Sequence, residues 1–163
     1  MRDQVGETAA LEIDTILEQL SGLLRDSGVA PPLWNSELIR GCLGVRVRTL
    51  IADYADRVDF FVAEANVAEA AHYIADLARE KNLNEAVCTE ALLSLMRVVQ
   101  MVEDTVLESA REEALARIRD ADDWPALALG LQLECAIWTE DQDFFGTGVA
   151  TWTSSTVERY LSS

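Results

Sequence analysis

Short apolar runs rich in β-branched and aromatic residues alternate along this sequence with longer segments of helical periodicity. Residues 58–62 form one such run and residues 136–138 form a second, while residues 149–153 could form a further short strand. Strands separated by helices usually pair in parallel through right-handed crossovers, with helices covering the sheet. The sequence therefore predicts an α/β domain. Helices are predicted over residues 36–42, 45–56, 63–81, 85–101, 105–119, 126–133 and 155–161. The tail of the fourth of these, residues 98–102, could instead be a strand.

An amphipathic helix is predicted ahead of this α/β region, over residues 9–25. Leucines and isoleucines recur there at helical spacing, and Gly28 follows the end of the pattern. The next residues, 29–34, contain Pro31 and Pro32, so any strand there is short. We therefore predict an N-terminal helical extension over residues 1–28 and a domain over residues 29–163. The helix could simply pack on the domain, or it could cover a site or recruit a partner.

The charge balance restricts the partners of the chain. Its 163 residues suit one domain and carry a formal net charge of −16. Taken alone, that charge argues against nucleic acid, because phosphate binding normally uses a basic surface. It favours cationic partners, including divalent metals, and a bound metal inverts the sign of the local charge. An acidic nuclease therefore remains compatible with the composition.

Cysteine usage and hydropathy predict a cytoplasmic protein without a membrane span. Cys42, Cys88 and Cys135 lie far apart, and His72 is the one histidine, so the spacing of a zinc site is missing. The odd number of cysteines and the polar N-terminus favour a reducing compartment. Charged residues interrupt every apolar run well before the length needed to cross a bilayer.

Two clusters of acidic residues are the strongest candidates for chemistry. Asp120, Asp122 and Asp123 stand at the start of a predicted helix, and Asp141 and Asp143 follow a predicted strand. Ligands of open parallel sheets collect beyond the carboxyl ends of the strands. Converging carboxylates repel one another unless a cation joins them, and oxygen ligands suit Mg²⁺ or Mn²⁺. The alternative is that these residues cap a helix and form an ordinary turn.

Three stretches that contain these acids resemble the C-terminal half of a PIN domain. They are residues 120–129, residues 137–146 and residues 148–152. They show an acid opening an alanine- and leucine-rich helix, then a short strand, then a loop of the form T-x-D-x-D-F. Residues 38–48 and 58–70 resemble the upstream part of the family more weakly.

This resemblance implies a fold, an activity and a set of site residues. The fold would be a three-layer α/β/α sandwich with a short central parallel sheet of four to five strands. The activity would be cleavage of RNA with Mg²⁺ or Mn²⁺, and Glu69 matches the second acid of the family better than Glu64 does. Thr139 would orient the site through its hydroxyl. The catalytic residues would be Glu69, Asp123, Thr139 and Asp141, and the metal ligands would be Glu69, Asp123, Asp141 and Asp143.

The chain departs from the family pattern at the position of the first acid. The family has an aspartate at the end of its first strand, and here that place is taken by Trp34 or Asn35. Neither supplies a carboxylate, although the amide oxygen of Asn35 could coordinate a metal. Glu37, one helical turn further on, could substitute for it.

Three functions follow from these observations. The first is a metal-dependent endoribonuclease, which the resemblance implies could be the toxin of a toxin–antitoxin pair. It would bind RNA, an antitoxin protein and a second copy of the chain. The second is a catalytically degenerate PIN-like domain that serves in binding or assembly. The third is an α-rich interaction protein without a metal site. A basic cluster on one helix, formed by Arg40, Arg46 and Arg48, is the candidate contact for RNA phosphates.

Overall fold

The computed structural model describes residues 45–163, and the mixed α/β character predicted from the sequence is confirmed there. The predicted helices over residues 9–25 and 36–42, the proline-containing segment 29–34, and the residues Asn35 and Arg40 lie outside the described residues. The helices are α1 (Val45–Tyr54), α2 (Glu64–Glu80), α3 (Glu85–Leu95), α4 (Asp104–Leu107), α5 (Arg111–Arg117), α6 (Trp124–Leu133) and α7 (Glu158–Leu161). The strands are β1 (Phe60–Ala63), β2 (Val99–Val102), β3 (Ile137–Trp138) and β4 (Thr151–Trp152). Single 3₁₀ turns lie at Glu108–Ala110, Ala121–Asp123 and Gln142–Phe144.

Both strand pairs of the described region are parallel, as the alternating pattern predicted. β1 pairs with β2 in a register that sets Phe60 opposite Val99, and β3 pairs with β4 so that Trp138 lies opposite Trp152. Across residues 45–163 the strands form these two separate pairs rather than one sheet. The ambiguous segment 98–102 is a strand, because α3 ends at Leu95 and the chain then presents valines, which favour a pleated conformation.

The helix predicted over residues 105–119 is interrupted and ends early. A 3₁₀ turn at Glu108–Ala110 separates α4 from α5. α5 then stops at Arg117, because Ile118 is extended (φ −88°, ψ 146°) and its side chain is buried in the core under α6. Extending the helix through Arg119 was therefore wrong. Arg119 and Asp120 instead lie on a link that leads directly into the next helix.

Helix α6 is the central element of the second half of the chain. It packs against α4, α5, β1 and β3, and its Leu127 is fully buried. Its glycine, Gly130, permits the close approach of β3: a Cβ built there would lie 2.9 Å from Cγ1 of Ile137. The tight packing places the N-terminus of α6 beside the loop that follows β3. Within residues 45–163, no helix has the length and hydropathy that a bilayer crossing requires.

Candidate metal centre

Two loops bring acidic residues to one place, and both have the same local structure. The Asp120 carboxylate accepts a hydrogen bond from the backbone N–H of Asp122 (3.0 Å) and begins the 3₁₀ turn Ala121–Asp123. The Asp141 carboxylate accepts from the backbone N–H of Asp143 (2.9 Å) and begins the 3₁₀ turn Gln142–Phe144. In each loop an aspartate therefore fixes the turn that carries the next acidic side chain.

Asp120, Asp123 and Asp143 form the acidic cluster of this structure. Each offers one carboxylate oxygen, and these three oxygens all lie within 4.8 Å of one another. Oxygen ligands of Mg²⁺, Mn²⁺ and Ca²⁺ sit roughly 2.0–2.6 Å from the ion, so two ligands of one ion are separated by at most roughly 4–5 Å. The spacing of the three carboxylates therefore fits a shared divalent cation, and the donor set is of the type that hard cations prefer.

The position of Asp123 explains why its carboxylate is available. It occupies the N-cap of α6, yet its side chain makes no capping hydrogen bond. The suggestion that Asp123 is simply a helix cap was therefore wrong. Asp120 caps the preceding 3₁₀ turn instead, and side chains three residues apart in such a turn lie on the same side. Asp123 is consequently held next to Asp120 and directed at the cluster.

The electrostatics of Asp123 reveal how crowded the carboxylates are. Burial raises the pKa of Asp123 most, and neighbouring negative charges add to the effect, which brings the value to about 7. In decreasing order of effect, these neighbours are Asp141, Asp120, Glu69 and Asp143. Concentrated negative charge without equal compensation is what a divalent cation would relieve.

Thr139 and Asp141 are coupled at the end of β3. Thr139 is buried, and its hydroxyl accepts a hydrogen bond from the backbone N–H of Asp141 (3.0 Å). The backbone N–H of Thr139 donates to the carbonyl of Trp152 on β4 (3.0 Å). Asp141 lies outside the three-carboxylate group, but among the neighbouring charges it has the largest effect on Asp123. Thr139 therefore fixes the start of the loop that carries Asp141 and Asp143.

The two candidate glutamates of α2 have different surroundings. Glu69 is exposed and contributes to the field at Asp123. Glu64 accepts a hydrogen bond from the backbone N–H of Asp104 (3.3 Å), while the Asp104 carboxylate accepts from the backbone N–H of Ala65 (3.2 Å). Glu64 and Asp104 thus tie the start of α2 to the start of α4. The electrostatics favour Glu69 as the acid of this helix that belongs with the cluster.

The predicted basic cluster lies only partly within the described residues. The side chain of Arg46 donates from Nε to the backbone carbonyl of Ser154 (2.9 Å), which joins α1 to the C-terminal segment. Arg48 is half-buried on the same helix. His72, the one histidine of the chain, is exposed and lies 3.3 Å from the Asp76 carboxylate.

Two residues that the structure brings to the site were not among our predicted site residues. Asp120 joins the cluster because a 3₁₀ turn, rather than the first turn of α6, precedes Asp123. From the sequence, Arg119 could contact an RNA phosphate or pair with its neighbour Asp120, but its Nη1 lies 3.1 Å from Oδ1 of Asp143. The spacing of three between Asp120 and Asp123 was the available signal for the first residue. No local pattern indicates the pairing of Arg119 with Asp143, because the two residues are distant in sequence.

An apolar cavity of about 270 Å³ lies beside the acidic cluster, and its lining includes residues of both β1 and β3. The rings of Phe60 and Trp138 both line it, with their centroids 6.3 Å apart. Asp123, Thr139 and Asp141 also contribute to its lining. The cavity therefore connects the two strand pairs to the acidic site.

Comparison with known proteins agrees with the geometry. No curated protein and no solved structure gave a significant match. The sequence model of a family described as "PIN domain" matches residues 35–162, which is well over half of the chain. The match includes both loops of the acidic cluster as well as α2 and its Glu69. The resemblance inferred from the sequence is thereby confirmed, and the chain belongs to the PIN-domain family.

Proposed function

We propose that this protein is a metal-dependent endoribonuclease that holds Mg²⁺ or Mn²⁺ at the acidic cluster. The observation that carries the proposal is the meeting of Asp120, Asp123 and Asp143, whose carboxylate oxygens lie within 4.8 Å of one another in a PIN domain. Isolated exposed acids are common on protein surfaces, but here two structured loops converge on one point. The partial burial of Asp123 and Asp143 adds to the case, because burying converging charges is costly unless they bind a cation.

Each residue has a defined part in this proposal. The carboxylates of Asp120, Asp123 and Asp143 would hold the metal. Asp141 would add a carboxylate from the same loop as Asp143, and Glu69 would add one from α2. A metal held by these carboxylates would supply Lewis-acid polarisation of the substrate phosphate and a nucleophilic water of lowered pKa. Thr139 positions Asp141, because its hydroxyl oxygen accepts a hydrogen bond from the backbone N–H of Asp141.

The partners in this proposal follow from the sequence and the family. RNA would approach a chain of net charge −16 through its basic residues, for which Arg40, Arg46 and Arg48 are the candidates. An antitoxin protein, a second copy of the chain and a cytoplasmic location remain predictions, as does the role of a toxin. The proposed division into residues 1–28 and 29–163 is likewise retained.

A second candidate function is a PIN domain that binds metal or RNA without cleaving it. The observation that favours this function is the lack of a carboxylate at the position of Trp34 or Asn35, where the family has its first aspartate. One ligand fewer lowers metal affinity and the rate of hydrolysis, since the metal supplies several kcal/mol of transition-state stabilisation. Metal binding and cleavage are therefore to be measured separately.

Titration with Mn²⁺ tests the proposal. Mn²⁺ at about a hundredfold excess over its Kd should stabilise the wild-type protein by about 2.7 kcal/mol, which raises Tm by roughly 5–10 °C. Asp141→Asn should lose most of this shift and most of the cleavage of a mixed RNA pool. Asp122→Asn is the matched control, because Asp122 is an exposed neighbour that is not part of the cluster.

The outcomes of this titration separate the two functions. A Tm shift that accompanies RNA cleavage, with both weakened in Asp141→Asn and kept in Asp122→Asn, supports the nuclease. A Tm shift without cleavage supports the degenerate domain. If Mn²⁺ does not change the Tm of the wild-type protein, both forms of the proposal that include a metal are wrong.

We also propose that the two strand pairs belong to one parallel sheet of four to five strands in a three-layer sandwich. Support comes from their parallel pairing and from the apolar cavity that β1 and β3 both line. The sequence also permits one short strand over residues 29–34, which lie outside the described residues.

Amide hydrogen exchange on the full chain tests this extra strand. If residues 29–34 form a strand, their backbone amides should be protected to a degree comparable with those of β3, whose Ile137 N–H donates to the carbonyl of Ala150. The two prolines have no amide hydrogen, so the measurement relies on the remaining positions. Free exchange throughout residues 29–34 would exclude the strand.

A further inference from the structure

Arg119 provides positive charge at the edge of the acidic cluster. Its Nη1 lies 3.1 Å from Oδ1 of Asp143, and the arginine side chain is 77% exposed whereas that of Asp143 is 26% exposed. Among the ion pairs formed within residues 45–163, this is the one that includes a member of the cluster. The guanidinium group therefore stands within a few ångströms of the position that a shared cation would take.

The backbone beneath Arg119 holds it at this place. The buried side chain of Ile118 anchors the residue before it, and the 3₁₀ turn that begins at Asp120 fixes the residue after it. The side chain itself is exposed and makes one ion pair, so it can move while its Cα stays fixed. Arg119 is thus an exposed cation at the edge of the acidic cluster, with its backbone fixed on both sides.

A divalent ion at the cluster would compete with Arg119 for Asp143. The oxygen that faces Nη1 belongs to a carboxylate of the proposed ligand set, and a dication close to the guanidinium group repels it. An exposed ion pair contributes about 0–1 kcal/mol, so a dication can displace this one. The released guanidinium group would then lie next to the phosphate that the ion attracts, and arginine binds phosphate oxygens through two parallel N–H donors.

We propose that Arg119 is a phosphate-binding residue of the RNA site, paired with Asp143 before metal binds and transferred to a substrate phosphate afterwards. This inference rests on the proposed function, because it needs an ion at the cluster. Arg119 would neutralise part of the charge of the substrate, which this acidic surface otherwise repels. The same residue would also make metal binding weaker than the carboxylates alone would allow.

Metal affinity tests the first half of this proposal. Arg119→Gln removes the competing cation, so its Kd for Mn²⁺, measured calorimetrically without RNA, should fall roughly two- to fivefold. Arg97→Gln is the matched control, since it removes the same charge from an exposed side chain whose ion-pair partner is Glu90 at 3.9 Å. Equal Kd values in the two variants would show that Arg119 does not compete with the ion.

Salt dependence of binding tests the second half. The probe is a single-stranded oligodeoxynucleotide, which offers phosphates, bound to the Mn²⁺-loaded protein and followed by fluorescence anisotropy. Loss of one phosphate contact should reduce the slope of log affinity against log salt by about 0.7 in Arg119→Gln. Arg119→Lys should keep the slope because it keeps the charge, and Arg97→Gln should keep it as well.

The two halves must both hold. If Arg119→Gln tightens Mn²⁺ binding but its slope of log affinity against log salt equals that of the wild-type protein, the phosphate role is wrong. The phosphate role is also wrong if the Mn²⁺-loaded wild-type protein does not bind the oligonucleotide. A wild-type protein that binds Mn²⁺ and cleaves RNA while Arg119→Gln matches Arg97→Gln in both assays contradicts this inference alone. A wild-type protein that binds no Mn²⁺ contradicts the proposed function, and this inference with it.

Discussion

With all divalent metal removed by a chelator, Asp123→Asn is expected to be more stable than the wild-type protein at pH 8. The pKa of Asp123 is raised from 3.8 to about 7 by burial and by neighbouring carboxylates, so at pH 8 the folded protein holds an unfavourable charge that the variant lacks. The side chain is partly exposed, so solvent screening reduces the gain to about 1–2 kcal/mol. Urea denaturation in the presence of chelator measures this difference.

The stability difference between Asp123→Asn and the wild-type protein should depend on pH. Because the pKa of Asp123 in the folded protein exceeds its ordinary value, the folded state binds more protons than the unfolded state between about pH 4 and pH 7. Asp123 therefore destabilises the protein fully above pH 7, and this effect fades as the pH falls towards 4. The advantage of Asp123→Asn should shrink in parallel. A stability difference that does not change between pH 8 and pH 4 would contradict the raised pKa.

Adding Mn²⁺ should reverse the order of stability. The wild-type protein gains the free energy of metal binding, whereas Asp123→Asn has lost a charged oxygen at the centre of the cluster. RNA cleavage should fall by about 100-fold or more in this variant, because a catalytic metal supplies several kcal/mol of transition-state stabilisation and each ~1.4 kcal/mol lost is tenfold in rate. Asp122→Asn should behave as the wild-type protein does in chelator and in Mn²⁺. An Asp123→Asn variant that Mn²⁺ stabilises as strongly as wild type would place the ion elsewhere.

The convergence of the two acidic loops was predictable from the sequence, but the membership of the cluster was not. Helix α6 and strand β3 could each be recognised from local pattern, and both were expected at the same edge of a parallel sheet. Whether Asp120 or Asp122 accompanies Asp123 depends on whether the preceding turn is 3₁₀ or α-helical. Both forms are compatible with the residues A-D-D, so the local sequence does not decide between them.

Contacts between distant segments account for the remaining differences from the predictions. The partner of Arg119 is Asp143, which lies in another loop, and no spacing rule links the two. Glu64 and Asp104 likewise accept hydrogen bonds that join the starts of α2 and α4. Glu64 therefore has a structural role, which distinguishes it from Glu69. Periodicity predicts which residues share a face of one element. It does not predict which side chains of separate elements meet.

Truncation of the core beneath the site is the other large effect that we expect. Leu127→Ala should lower the free energy of unfolding by about 2–5 kcal/mol, because Leu127 is fully buried (0% exposed) among the side chains that pack α6 against α4 and α5. The matched control is Leu133→Ala on the same helix, whose leucine is 43% exposed and should cost about 1 kcal/mol or less. Urea denaturation at fixed pH measures both variants.

The same pair of variants tests whether α6 holds the metal centre in place. Helix α6 begins beside Asp123, so loosening its core contacts should also weaken Mn²⁺ binding at temperatures where Leu127→Ala remains folded. Leu133 faces away from the core, so its truncation should leave the Kd for Mn²⁺ unchanged. If the two alanine variants lost equal stability, α6 would not be packed as the structure has it. If Leu127→Ala lost stability but bound Mn²⁺ as tightly as the wild-type protein, the cluster would not depend on α6 for its geometry.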